Sequence, residues 1–226
     1  MTYAFTPVDL PTLPIKGSAE LFPIHRIYCV GRNYAEHTKE MGGDTKDPPF
    51  FFQKNADNVI ADGTFPYPPQ TQNVHFEIEL VVGLKSGGKD IAPADAMSHV
   101  FGYAVGIDMT RRDLQDVAKK LSRPWEVAKA FEHSAPITAI VPARQVETIS
   151  RGAIWLEVNG QRKQTGDLSQ MIWDVPNQIA FLSTLFELKA GDLIFTGTPA
   201  GVSAIKKGDK IVGHVDGVGD LHVAVV

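Results

Sequence analysis

Two carboxylates lie inside the apolar segment from Val74 to Val82, VHFEIELVV, and they limit what this chain can fold into. Side chains alternate between the two faces of a strand, so a single strand here puts Glu77 and Glu79 on the same face. At roughly 6 Å and an effective dielectric constant of about 20, their repulsion is on the order of 3 kcal/mol, and burial adds a desolvation penalty. A fold that keeps both acids must therefore offset their charge.

Several partners could compensate this pair of acids. Water, basic side chains or a hard divalent cation would each do so, and paired carboxylate oxygens are ligands that Mg²⁺, Mn²⁺ and Ca²⁺ prefer. The simpler alternative is an edge strand whose acidic face is in water. This segment alone leaves both interpretations open, so the rest of the chain has to decide between them.

The composition excludes several classes of partner. Lys and Arg are scattered and the net charge is −4, so no basic patch favours nucleic acid or an anionic membrane. The N-terminus lacks a basic start with an apolar core, and no stretch approaches eighteen apolar residues, so we expect a cytoplasmic protein. The single cysteine, Cys29, cannot form an intramolecular disulfide and is expected to be a buried thiol.

Short strands broken by Gly and Pro dominate the pattern, which predicts a mainly β (α+β) fold with few helices. Prolines at 7, 11, 14 and 23 exclude a long helix at the start and predict an N-terminal arm over residues 1–23, before a main domain over 24–226. Asn159-Gly160 predicts a hairpin turn, and Val175 to Leu185 predicts a helix with Pro176 at its start. The other predicted strands cover 27–30, 50–54, 100–107, 154–158, 192–195, 210–215 and 221–226.

The segment from Arg32 to Met41 predicts a helix, capped by Asn33 and ended by Gly42-Gly43. His37 and Glu40 are three residues apart on it, so their side chains can touch. A carboxylate raises the basicity of an imidazole and fixes its tautomer, which suits a base that activates water. A surface pair on a short helix is the alternative. The following loop, 42–49, is either a plain connection or a mobile lid.

An acid ends the predicted strand 100–107. Asp108 is placed to complete a carboxylate cluster, or else to cap the next helix. That helix, 111–121, puts Arg112 and Gln115 on one face, where they could hold an anionic substrate or simply be solvated.

Two further features could bind an anion. Lys129 lies between small and apolar neighbours, so it either extends along the surface to solvent or meets an anion in a pocket. The turn at 196–201, TGTPAG, offers hydroxyls and free backbone N–H groups.

Five motifs together resemble the fumarylacetoacetate hydrolase family, in particular its small single-domain branch of acylpyruvate hydrolases. They are GRNYAEHTKEMG, the Glu77-x-Glu79 pair, GYAVGIDMTRRDLQ, RPWEVAKAF and TGTPAGV, in the order of the family. The likeness runs from about Pro23 to near the C-terminus. It implies a roll of mixed β-sheets with a few short helices, a catalytic domain over 24–226, and a homodimer. One departure is Phe76, where many members carry a second histidine after the equivalent of His75.

The resemblance also implies roles for ten residues. Glu77, Glu79 and Asp108 would hold Mg²⁺ or Mn²⁺. His37 and Glu40 would form the dyad that activates water, and Lys129 would stabilise the substrate or an intermediate. The positions expected around the substrate are Lys54, Arg112, Gln115 and Thr198.

The activity implied by the resemblance is hydrolysis of a carbon–carbon bond in a 2,4-diketo acid, a small 2-oxo acid, to pyruvate and a carboxylic acid. The segments PPFFFQKNAD and DLIFTGTPAGV are most similar to fumarylpyruvate hydrolases. The second acid group of fumarylpyruvate would need a cation at the pocket mouth. Arg32, Arg111 or Arg123 could supply it, and the sequence does not choose among them.

Two other interpretations, one catalytic and one not, fit the same residues. Oxaloacetate decarboxylation or keto–enol tautomerisation would use the same chelate but needs no attacking water. A non-catalytic β-rich module would use the acids to hold a stabilising Ca²⁺, and it predicts that His37, Glu40 and Lys129 lie apart from the acids.

Overall fold

The computed structural model describes residues 2–40 and 48–226. Short strands predominate there, as the sequence predicted, and the mainly β fold with few short helices is confirmed. The predicted helix end at Met41 to Gly43 and most of the predicted loop 42–49 lie outside the described residues. None of the helices in the described ranges is long and apolar enough to cross a membrane.

Eighteen strands lie in the described residues, and none is longer than eight residues. In chain order they are β1 (Thr12–Pro14), β2 (Leu21–Pro23), β3 (Ile27–Gly31), β4 (Phe50–Lys54), β5 (Val59–Ile60), β6 (Thr64–Phe65), β7 (Val74–His75), β8 (Ile78–Leu84), β9 (Val100–Ile107), β10 (Thr110–Arg111), β11 (Ala135–Pro136), β12 (Val141–Pro142), β13 (Ala153–Val158), β14 (Gln161–Asp167), β15 (Leu193–Phe195), β16 (Ala204–Ile205), β17 (Lys210–Val215) and β18 (Gly219–Val225).

Within the same described ranges, five α-helices connect the strands: α1 (Ala35–Glu40), α2 (Pro93–Ala96), α3 (Arg112–Lys120), α4 (Glu126–Lys129) and α5 (Val175–Leu185). Only α5 has the predicted bounds, because it carries a complete start signal: Pro176 in its first turn and the Asp174 carboxylate accepting a hydrogen bond from Asn177 N at 3.0 Å. The predicted cap of α1 is wrong. The Asn33 side chain donates to the carbonyl oxygens of Trp173 and Thr196 instead, and the helix begins at Ala35.

Two larger sheets form the body of the fold. One has six strands in the order β12-β9-β8-β15-β3-β4, and the other has five in the order β14-β13-β17-β18-β6. Both are mixed, since β15 pairs parallel with β3 but antiparallel with β8, and β18 pairs parallel with β6. Their apolar faces share one core cluster, where an added Cβ at Gly213 would lie 2.5 Å from Ile78 Cδ1. Glycine at this position lets the two sheets approach closely.

The predicted single strand over 74–82 is wrong, because the segment divides between two sheets. Strand β7 pairs with β10 and β16, whereas β8 belongs to the six-stranded sheet. Phe76 and Glu77 make the crossing, and Asp108 N donates to Glu77 O there at 2.8 Å. All seven residues of β8 are buried, and the strand has neighbours on both sides. The edge-strand alternative is therefore wrong as well.

Two local predictions are confirmed. Asn159 and Gly160, with φ of 52° and 76°, turn the chain between β13 and β14, as Asn-Gly does in tight hairpins. Cys29 is free and fully buried in β3.

An ion-pair cluster on the outer face of the five-stranded sheet involves His214 of β17. Its Nδ1 lies 2.5 Å from Asp220 Oδ1 and its Nε2 lies 2.9 Å from Asp216 Oδ1, while its ring stacks on Trp155 at 5.0 Å between centroids. Partial burial lowers the pKa of His214, but the hydrogen bonds to the two aspartates outweigh burial and raise that pKa above its usual value.

This cluster predicts a pH dependence. A group whose pKa is raised by folding stabilises the fold fully below its unfolded pKa, here about 6.5, and this stabilisation is lost as the pH rises through the folded pKa. An NMR titration should give His214 a pKa above 6.5. Replacing it, as His214→Gln, should reduce the loss of unfolding free energy between pH 6 and pH 9. A measured pKa at or below 6.5 would contradict the assignment.

Candidate metal centre and active site

Three buried carboxylates converge on one point. Glu77, Glu79 and Asp108 each offer an oxygen, and these oxygens lie within 4.8 Å of one another. Glu79 is on β8 and Asp108 follows β9, and the antiparallel pairing of the two strands sets Glu79 opposite Gly106, so the acids meet. None of the three side chains belongs to a residue more than 6% exposed. An all-oxygen set of this kind suits a hard divalent cation.

A lysine bridges two of the acids. Lys129 Nζ donates to Glu77 Oε2 at 2.7 Å and to Asp108 Oδ2 at 2.6 Å. The residue is 2% exposed, so the alternative in which its side chain extends to solvent is wrong. Although burial lowers the pKa of Lys129, the charges of Asp108 and Glu77 raise it above its usual value. The ammonium therefore stays charged inside the fold.

Two further cations complete the pairing. Lys54 Nζ lies 2.8 Å from Asp108 Oδ1, close enough for an ion pair although its direction is poor for a hydrogen bond, and it donates to the carbonyl oxygens of Met109 and Lys129. Arg112 Nη2 donates to Glu77 Oε1 at 2.6 Å, while its Nη1 donates to Gln115 Oε1 at 2.6 Å. Two of the three acids, Glu77 and Asp108, thus pair with three buried cations.

The pairing is uneven, because no cation in the described ranges contacts Glu79. Its carboxylate accepts one hydrogen bond, from Gly197 N at 2.7 Å. Burial, followed by the charges of Asp108 and Glu77, raises the pKa of Glu79 well above its usual value. Burial acts in the same direction on Glu77, but Lys129 and Arg112 outweigh it and hold the pKa of Glu77 well below its usual value. A divalent cation would neutralise the charge left on Glu79, so the donor set fits a metal.

The predicted turn at 196–201 supplies the N–H group that meets Glu79. Gly197 has φ of +98°, and a Cβ on it would lie 2.6 Å from Asn33 Cβ, so the turn needs glycine here. The Thr198 hydroxyl accepts a hydrogen bond from Gln164 Nε2 at 2.8 Å, and Gln164 Oε1 accepts from Ile78 N at 3.0 Å. The turn thereby joins the start of β8 to the five-stranded sheet.

Sequence reasoning missed Gln164. It is fully buried, and its amide is the link between the turn at Thr198 and strand β8. It sits in QRKQTGD, a strand of mostly polar residues, so no local signal separates it from exposed neighbours.

The predicted dyad forms on α1. His37 Nδ1 lies 3.0 Å from Glu40 Oε2, and this carboxylate also accepts from Gly201 N at 3.4 Å. His37 is 6% exposed whereas Glu40 is exposed, so the alternative of a surface pair is wrong for the histidine. With Nδ1 held by Glu40, Nε2 is the nitrogen left to act on a ligand.

Most of these groups line one cleft that is open to solvent. Asp108 and Lys54 contact Lys129 without lining the cleft, and Glu40 meets it through His37. A wider groove beside Tyr103 and Met171 contains none of the predicted site residues. Seven of the ten predicted residues line the cleft: His37, Glu77, Glu79, Arg112, Gln115, Lys129 and Thr198.

Known proteins are similar to this chain in sequence and in fold. The model of the fumarylacetoacetate (FAA) hydrolase C-terminal family matches residues 26–226. A fumarylpyruvate hydrolase of Ralstonia sp is 45% identical over 177 residues, which are 78% of this chain and 92% of the relative. A mitochondrial oxaloacetate decarboxylase of Dictyostelium discoideum is 40% identical over 195 residues, which are 85% of this chain and 89% of the relative.

A solved structure matches the whole fold. The fumarylpyruvate hydrolase of Pseudomonas aeruginosa, in complex with Mn²⁺ and pyruvate, superposes with a TM-score of 0.97 at 49% sequence identity. The match covers 100% of this chain and 99% of that one.

The uneven pairing predicts opposite outcomes for two similar substitutions. Glu77→Gln removes the carboxylate that pairs with Arg112 and leaves Lys129 paired with Asp108 alone, and we expect the unfolding free energy to fall by about 3 kcal/mol or more. Glu79→Gln replaces a buried acid that no cation in residues 2–40 and 48–226 contacts, so we expect a change within about 1 kcal/mol, or a gain. Urea unfolding of both variants with excess chelator measures the difference. Equal losses for both would contradict the charge assignment.

Proposed function

This chain belongs to the fumarylacetoacetate hydrolase family, and from that premise we propose that it is a divalent-metal-dependent hydrolase of 2,4-diketo acids. The bond cleaved is the carbon–carbon bond between C3 and C4, and the products are pyruvate and a carboxylic acid. Fumarylpyruvate is the leading candidate substrate. The observation that carries the proposal is that two of the three convergent carboxylates, Glu77 and Glu79, line one cleft together with the paired His37.

Glu77, Glu79 and Asp108 would hold the cation, Mg²⁺ or Mn²⁺. When bound, a divalent cation supplies Lewis acidity to the carboxylate and 2-oxo group of the substrate, and it fixes the position of both. Arg112 and Gln115 line the same cleft and present donors to the carboxylate and 2-oxo end of the substrate, here called the substrate head. The relative with Mn²⁺ and pyruvate has the same fold, which supports this arrangement.

His37 would start the reaction by taking a proton from water at Nε2, while Glu40 holds the ring through Nδ1. The hydroxide adds to C4, and the C3–C4 bond then breaks with its electron pair passing to the pyruvate fragment as an enolate. Lys129 lines the cleft and places a positive charge where that enolate develops. The proton carried by His37 returns to C3, which completes pyruvate and frees the acid.

Oxaloacetate decarboxylation is the second candidate, because a decarboxylase relative is 40% identical. Decarboxylation and keto–enol tautomerisation need a stabilised enolate and a proton shuttle, but no attacking water. The His37–Glu40 pair favours hydrolysis, since a base held for water activation is superfluous in decarboxylation.

The contacts argue against a non-catalytic module. That alternative requires Lys129, His37 and Glu40 to lie apart from the acids, whereas Lys129 bonds two of them and His37 lines the same cleft.

A parallel substrate assay tests the reaction. Purified protein with Mg²⁺ should convert fumarylpyruvate to pyruvate and fumarate faster than it consumes oxaloacetate. Acetylpyruvate serves as a third substrate, an acylpyruvate that lacks the second carboxylate. Excess chelator should abolish the conversion, and added Mg²⁺ or Mn²⁺ should restore it. Consumption of oxaloacetate alone would make hydrolysis the wrong assignment.

The dyad can be tested by one substitution and a matched control. We expect His37→Ala to lower kcat for hydrolysis by about 100-fold or more, because the base that accepts the proton of water is gone. His222→Ala, at an exposed position of β18, should leave kcat unchanged. Steady-state kinetics with Mg²⁺, together with Mn²⁺ titration of each variant, separates loss of the base from loss of metal. A His37→Ala enzyme with unchanged kcat would exclude this histidine as the base.

A further inference from the structure

Two cations line the cleft without an acidic partner among the residues that the structure describes. They are Arg32 and Lys119, and neither forms an ion pair within residues 2–40 and 48–226. We infer that they bind a second carboxylate at the far end of the substrate, so that the enzyme selects dicarboxylic over monocarboxylic 2-oxo acids. The inference rests on the proposed function for the position of the substrate head, but its test does not require turnover.

The charge balance of the cleft leaves these two cations free for a ligand. Lys54, Arg112 and Lys129 are already paired with Glu77 and Asp108 of the candidate metal centre. Arg32 and Lys119 take no part in those ion pairs, so they remain as positive charges on the cleft surface without an ion-pair partner in the described residues. An anionic group on the ligand would balance that charge.

Arg32 is held in place by its backbone. Its φ is +58°, a conformation that is uncommon for a residue other than glycine, and Thr38 Oγ1 fixes it by donating to Arg32 O at 2.9 Å. Phe50 covers the preceding Gly31, where an added Cβ would lie 2.1 Å from Phe50 Cζ. The guanidinium carbon then lies 5.9 Å from the centroid of the Phe50 ring. This geometry directs the side chain to the cleft.

Lys119 approaches the same cleft from helix α3. Arg112, Gln115 and Lys119 follow the spacing i, i+3, i+7, so they share one face of the helix, and all three line the cleft. Lys119 Nζ lies 5.5 Å from the ring centroid of Trp125. Burial, followed by the charge of Arg112, lowers the pKa of Lys119, while the charge of Asp116 acts in the opposite direction.

An aromatic wall connects the deep site with these two cations. Lys129 Nζ lies 4.9 Å from the Phe52 ring, Phe52 lies 5.7 Å from Trp125, and Trp125 lies 5.4 Å from Phe50, beside Arg32. A flat, unsaturated chain can lie along such a wall. A substrate with its 2-oxo acid head at the deep site would reach Arg32 and Lys119 with its other end.

The other two arginines that the sequence offered are placed elsewhere. Arg111 stacks on Phe131, with its guanidinium carbon 4.4 Å from the ring centroid, and donates to Val127 O. Arg123 is exposed, and neither it nor Arg111 lines the cleft. The structure thus distinguishes Arg32 from both.

The test uses two inert ligands of equal length. 2-Oxoheptanedioate and 2-oxoheptanoate share the 2-oxo acid head and differ in the second carboxylate, and neither has the 4-oxo group that hydrolysis requires. Calorimetric titration of the Mg²⁺-loaded protein should show the diacid binding about tenfold tighter or more. Arg32→Gln and Lys119→Gln should each reduce the ratio of the two affinities, diacid over monoacid. Arg32→Lys should keep most of that ratio, and the control Arg123→Gln should leave it unchanged.

Three results would overturn the inference. They are equal affinities of the wild type for the two ligands, no binding of either one, and a ratio that survives in the double variant of Arg32 and Lys119. Thermal unfolding checks that each variant is folded, and the two single variants provide independent tests. Preference for the diacid without hydrolysis of any 2,4-diketo acid would support this subsite and contradict the proposed function. Hydrolysis of a 2,4-diketo acid together with equal affinities for the two inert ligands would support the proposed function and contradict this subsite.

Discussion

The fold depends on a balance of buried charge. An ion moved from water to a protein interior loses several kcal/mol of solvation, and close pairing with hydrogen bonds is what repays it. Here the ammonium of Lys129 binds Glu77 and Asp108 at once, and Arg112 and Lys54 take the remaining oxygen of each acid. These contacts join residues far apart in the chain, so the elements that carry them must assemble together.

The same balance prepares the site for a ligand. The cations come from β4, α3 and α4, and they fix two carboxylates, whereas no cation in the described residues contacts Glu79. Because the protein already pairs the other acids, a divalent cation would chiefly neutralise this one. Burial of the acids also keeps competing water away, which strengthens electrostatic contacts with a bound cation. The imbalance is therefore a functional property of the cluster.

Local patterns in the sequence predicted much of the fold but not the contacts that build the site. Helix α5 and the Asn159-Gly160 hairpin follow from signals within a few residues, and both form as expected. The division of the segment 74–82 was missed, because the partner strands of β7 and β8 lie elsewhere in the chain. The bridge from Lys129 to Glu77 spans 52 residues, so spacing alone could not choose between a lysine that reaches solvent and one that pairs with an acid.

The proposed chemistry requires Glu77, Glu79 and Asp108 to hold one divalent cation together. Anomalous diffraction from crystals of this protein grown with Mn²⁺ tests it most directly, because the signal locates the metal without assumptions about its ligands. We expect a single strong peak within bonding distance of an oxygen from each of the three acids. A peak elsewhere, or none while Lys129 still bridges Glu77 and Asp108, would contradict it.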